Sequence, residues 1–132
     1  MRYMLMMNAP RGNGGYAVMS WAPADLKAHI AFMHDLNREL TSRGELVSAE
    51  GLAPPSEAKL VRAGAAGEPV TDGPFPETKE FLAGFWIVDV DRAERAHEIA
   101  AKVSTAPGPG GKPLILKVEV RQVMRAAPTT DA

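Results

Sequence analysis

Two segments of the chain are apolar on both of their alternating sets of side chains. One is Tyr3-Met4-Leu5-Met6-Met7; the other spans residues 81–90, where Phe81, Phe85 and Ile87 alternate with Leu82, Trp86, Val88 and Val90. Strands of this kind need cover above and below, which makes them the central strands of a sheet. Residues 45–52 and 114–120 mix apolar with polar positions instead. In the latter, Leu114, Leu116, Val118 and Val120 alternate with Lys117, Glu119 and, just beyond, Arg121, as an edge strand with one wet or pocket-lining face would.

Two helical patterns separate the strands. Pro23 suits a first helical position, Asp25 suits the positive end of the helix dipole, and Leu26, Ile30, Met33, Leu36 and Leu40 recur at helical spacing. These predict a helix over about 23–43, ended by Gly44. Asp91 and Glu94 have capping-box spacing and open a second helix over about 92–103. Pro54 and Pro55 stop the second strand, after which residues 59–62 and 69–72 flank a loose turn and predict a small hairpin insertion. The stretch with Gly12, Gly14 and Gly15 reads as a loop placed where a lid would be, residues 107–113 as a second loop, and 126–132 as a tail beyond a single domain of residues 1–125.

Without the hairpin the order is β-α-β-β-α-β, the ferredoxin-like arrangement of an α+β fold, whose first and third strands lie at the centre. Those are the two segments apolar on both faces. Both helices belong on one face of such a sheet, so the other face calls for a second copy, and a homodimer with two sheets face to face is expected.

Composition narrows the chemistry. A chain of 132 residues without cysteine fits one domain and offers no disulfide, thiolate nucleophile or cysteine-held metal. Fifteen basic and sixteen acidic residues give a formal charge of -1 with no basic stripe, so nucleic acid is not an expected partner. No stretch reads as a signal peptide or a membrane span, and a cytoplasmic, unprocessed protein is expected. The three histidines lack metal-ligand spacing, and Gly12-Asn13-Gly14-Gly15 lacks a phosphate-loop lysine and dinucleotide spacing, so neither a metal nor a cofactor is implied.

The run Asp72-Gly73-Pro74-Phe75-Pro76-Glu77-Thr78-Lys79-Glu80, followed by Leu82-Ala83-Gly84-Phe85-Trp86, resembles the signature of the DGPF branch of YCII-related proteins. Glu50-Gly51-Leu52, the opening Arg2-Tyr3-Met4-Leu5-Met6 and Glu119-Val120-Arg121-Gln122-Val123-Met124 extend the resemblance over nearly the whole chain, although the family typically has proline where Gln122 stands. The resemblance implies a dimeric α/β barrel and a family whose biochemical role is largely unassigned. It also implies a first-helix histidine acting with an aspartate as a catalytic pair, and some relatives are associated with extracytoplasmic-function sigma factors.

Asp72 stands in a bend that Gly73, Pro74 and Pro76 should stiffen, which would suit it either as a general base or as the acceptor in an Asx-type turn. His29 shares the apolar stripe of the first helix, so its ring should face the sheet, either to transfer protons or as a hydrogen-bonded core residue. His34 falls on the flank of that helix, and His97 beside the stripe of the second. Glu50, Glu119 and Arg121 could line a pocket mouth with Trp86 below, Arg121 or Lys79 favouring an anion. The alternative is solvated edge positions for the charged residues and core packing for Trp86. Whether the chain is an enzyme stays open. One reading is acid/base chemistry by Asp72 and His29 on a small molecule between the sheet and the first helix; the other is a non-catalytic module serving a sigma factor.

Overall fold

The computed structural model describes residues 1–10, 18–73 and 80–125. The glycine-rich stretch of the first loop, most of the signature after Gly73 and the tail therefore lie outside the described residues. The chain is a mixed α/β fold of strands β1 (Arg2–Pro10), β2 (Leu46–Gly51), β3 (Leu60–Ala63), β4 (Pro69–Asp72), β5 (Glu80–Asp89) and β6 (Lys117–Gln122), with helices α1 (Pro23–Ser42) and α2 (Ala93–Ser104). Four strands form an antiparallel sheet in the order β2-β5-β1-β6, compatible with the ferredoxin-like arrangement, and β3 pairs with β4 as a separate hairpin. The two segments apolar on both faces are the inner strands.

Register sorts the side chains into two faces. Tyr3 pairs with Val88, Leu5 with Trp86 and Val120, and Met7 with Gly84 and Val118. This face is the dry one: Leu5 and Val88 are fully buried against Leu36 and Leu40 of α1 and Ile99 and Val103 of α2. Burial of each such side chain contributes about 1.5–3 kcal/mol. The other face carries Met4, Met6, Phe85 and Ile87, each only partly covered, and neither helix lies on it.

The strict alternation expected along 81–90 is broken by a bulge. Met7 pairs with Gly84 but Asn8 with Leu82, so Ala83 is the extra residue. A bulge reverses which face the following residues meet. Phe81 therefore packs with the core beside Ala9, while Leu82 joins the half-covered face, the reverse of the placement predicted from alternation.

Helix α1 begins with Pro23 at its first position and ends as Gly44 suggests. Gly44 takes φ +72°, its N–H bonds to the Thr41 carbonyl, and the Glu45 N–H bonds to the Leu40 carbonyl. This is the Schellman ending, in which a left-handed glycine satisfies carbonyls that the last turn leaves over. The capping box expected at α2 does not form: Arg92 occupies the cap position and no side chain caps the helix. Asp91 stands one residue too early, because β5 and the Val90 N–H, bonded to the Met1 carbonyl, hold the chain extended up to that point.

The last strand also starts later than its alternation suggests. The Leu114 and Ile115 N–H groups bond to the Ala106 and Ser104 carbonyls, the Ser104 hydroxyl donates to the Leu116 carbonyl, and Ile115 takes φ +51°. A β-branched residue in that region is an outlier. The end of α2 thus holds residues 114–116, and pairing with β1 begins at Lys117.

Candidate functional site

A cavity of about 230 Å³ opens between α1 and the sheet, where β2 and β5 run beneath the helix. Met7, Ile30, Met33, Ala49, Ala83 and Trp86 give it apolar walls, and His29, His34 and Asn37 supply polar groups from the helix. Residues 29, 33 and 37 recur every four positions, so α1 presents them along one stripe.

His29 is 5 % exposed. Its Nδ1 lies 3.0 Å from the Pro107 carbonyl oxygen, and its ring meets that of Trp21 edge-on at 5.2 Å between centroids. A carbonyl only accepts, so Nδ1 carries the hydrogen and the neutral ring has its lone pair on Nε2. Burial disfavours the imidazolium and pushes the His29 pKa down, and the bond to Pro107 only partly offsets this. The ring is therefore held as a neutral base with a fixed tautomer.

Trp86 is fixed from the opposite side, its Nε1–H donating to the Asn37 side-chain oxygen at 2.9 Å. The floor between β2 and β5 has no side chains at one point, because Gly51 and Gly84 pair across the two strands, on the face that also carries Trp86. A Cβ on Gly84 would lie 2.9 Å from the Glu50 carbonyl oxygen and 3.5 Å from the Gly51 Cα. Glycine at 84 is what lets the strands approach.

The residues singled out in the sequence separate into three places. His29 and Trp86 line the cavity, and Glu50 borders it, although pairing with Phe85 directs the Glu50 side chain to the other sheet face. Glu119 and Arg121 pair with Met6 and Met4 and so flank the half-covered face, at an exposed 3.8 Å separation from each other. Asp72 ends β4, is exposed and accepts the Gly73 N–H at 2.9 Å; it does not line the cavity, so the structure does not bring it to His29. Lys79 lies outside the described residues. Among the described residues no group of three or more side chains is placed to hold a metal ion, and no helix is long and apolar enough to cross a membrane.

His34, Asn37, Gly51 and Gly84 were not read from the sequence as parts of a site. Asn37 had a signal, as a polar break at helical spacing from His29 and Met33. The glycine pair had none, since it exists only through the register of strands far apart in the chain.

Comparison with known proteins agrees with the resemblance read from the motifs. The model of the YCII-related domain matches residues 1–111. An uncharacterised protein of Rhizobium meliloti (strain 1021) is 31 % identical over 87 residues, which cover 66 % of this chain and 70 % of the relative. With the family model matching most of its length, the chain belongs to the YCII-related family.

Proposed function

We propose that this chain binds a small molecule in the cavity under α1 and that His29 exchanges a proton with it. The observation that carries this reading is the geometry of His29: a buried imidazole bordering a cavity, tied through Nδ1 to Pro107 so that Nε2 is the basic atom. A neutral imidazole is the side chain suited to take up and return a proton near neutral pH. The size of the site limits its occupant. At roughly 30 Å³ per water the cavity holds the equivalent of about eight waters, which suits a compact metabolite. Asp72 acts in this reading as the anchor of the chain where it leaves the hairpin, through its bond to Gly73, and His29 works without it.

The DGPF branch and the ferredoxin-like protomer of a dimeric α/β barrel complete the proposal. Met4, Met6, Leu82, Phe85 and Ile87 gather on a sheet face without a helix, and a second copy laid on the same face would cover them. Phe85→Glu is expected to convert the dimer to monomer in sedimentation velocity; a wild-type protein that sediments as a monomer overturns that part.

A thermal-shift screen of small polar and aromatic metabolites on wild type and His29→Gln tests the site. A compound that stabilises wild type and loses its effect in the variant supports proton exchange at His29. Ligands that stabilise both proteins equally overturn the role of His29.

A further inference from the structure

Gly51 has none of the usual reasons to be glycine. Its φ lies outside the left-handed region, and a Cβ built on it meets no atom of the described residues within 4 Å. Gly84 across the ladder differs, because the Glu50 carbonyl leaves no room for its Cβ. Glycine also weakens a strand relative to residues with a side chain, through its extra freedom in the unfolded chain and its lack of packing. Gly51 therefore costs the strand something and returns nothing to the fold. What it does provide is space: it is exposed, ends the edge strand β2, and lines the cavity on the face that carries Trp86. A side chain there would project into the mouth.

We propose that Gly51 sets which molecules the cavity admits, keeping its mouth open so that a flat, ring-sized molecule lies across the bare Gly51–Gly84 backbone with a polar group toward His29. At the Gly51–Gly84 pair two adjacent strands present backbone without side chains, a surface that suits a planar face, and Ile30 and Met33 form the opposite wall from α1. An apolar cavity of about 150 Å³ is enough for benzene. About 230 Å³ therefore holds one ring with a polar substituent. Among the described residues no lysine or arginine lines the cavity, so the polar group is a hydroxyl or similar donor in place of a strong anion. This inference rests on the reading of the cavity as a binding site and adds the shape of its occupant.

Phenol serves as the test compound, with cyclohexanol as its puckered counterpart. Binding is followed by the shift of the Trp86 indole N–H resonance in wild type, Gly51→Ala, Gly51→Val and His29→Gln, and thermal stability is measured on each protein. Gly51→Ala and Gly51→Val are expected to be at least as thermostable as wild type while binding phenol progressively more weakly, by at least about tenfold for valine. Cyclohexanol is expected to bind wild type more weakly than phenol. Equal phenol binding by wild type and Gly51→Val, or cyclohexanol binding as tight as phenol, overturns the inference and leaves the cavity reading standing. A loss of thermal stability in Gly51→Ala shows that the strand itself needs the glycine and also overturns it. If phenol does not move the Trp86 resonance in wild type, the inference falls. Phenol binding to His29→Gln as tightly as to wild type overturns both the placement of the polar group toward His29 and the role of His29.

Discussion

Replacing His29 by glutamine should change the pH dependence of stability in a defined direction. Glutamine retains a donor for the Pro107 carbonyl and removes the titrating group. In the folded protein burial lowers the His29 pKa below its ordinary value of 6.5, whereas the unfolded chain takes up the proton near that value. The unfolded state therefore binds more protons below 6.5, and stability that is intact above 6.5 is lost as pH falls. One proton sets a slope of at most about 1.4 kcal/mol per pH unit. The loss between 6.5 and one unit lower is therefore bounded at about 1 kcal/mol, the value reached if the folded ring takes up no proton there. For a chain of this length that bound corresponds to at most about 3–5 °C in Tm. Urea unfolding followed by tryptophan fluorescence, at fixed protein concentration from about pH 7.5 to about pH 5.5, measures it in both proteins. His34 and His97 are present in both, and the depressed carboxylates of Glu39 and Glu45 begin to matter only near and below 4.5, so the difference between the two curves isolates His29. Parallel curves, or a wild type that gains stability on acidification relative to the variant, would refute the assignment of a buried neutral imidazole.

The remaining predictions concern the fold around the site. Arg95 binds both Glu45 oxygens at 2.8 Å with side chains 13 % and 14 % exposed, so Arg95→Met should cost about 2–3 kcal/mol; this is less than for a fully buried pair because Arg43 still reaches Glu45. Arg95 holds the Glu45 carboxyl below its usual 4.5, so the pair contributes above that pH and is lost as pH falls through the folded value. An Arg95→Met deficit that did not shrink at all as pH falls below 4.5 would show that charge is not its cause. Gly84→Ala should destabilise by about 1–3 kcal/mol and lower amide-exchange protection in β2, because its Cβ is forced against the Glu50 carbonyl; a neutral effect would refute the close approach.

What the sequence disclosed followed from local physics. Double-sided apolarity identified β1 and β5 as inner strands, helical spacing and Gly44 bounded α1, and the proline and glycine punctuation located the hairpin. His29 was legible as an inward-facing residue because a helical stripe leaves little choice of direction. The errors arose where distant parts of the chain overrule local pattern. Asp91 and Glu94 have the spacing of a cap, but β5 holds Asp91 too far from the helix. Leu114 and Leu116 alternate like strand residues, but the end of α2 captures them through Ser104 and Ala106. The bulge at Ala83 exchanges the faces of Phe81 and Leu82, which no alternation rule foresees. The candidate site divided for the same reason: Glu119 and Arg121 share strand parity with a different sheet face from Trp86, and Asp72 belongs to a hairpin outside the main sheet.

The position of β1 in the sheet bears on how the protein is made. This first strand finds its partners only in residues 80–89 and 117–122, so it leaves the ribosome well before either exists. Until then both of its edges and both of its oily sides are unsatisfied, the condition in which nascent chains aggregate or recruit chaperones. Helix α1 can form early from local contacts, but the sheet that forms the cavity floor waits for β5, and β1 keeps a bare edge until β6 arrives. A chain cut just short of Lys117 would retain every described residue that lines the cavity and still expose that edge, so its failure would be one of solubility before it was one of binding.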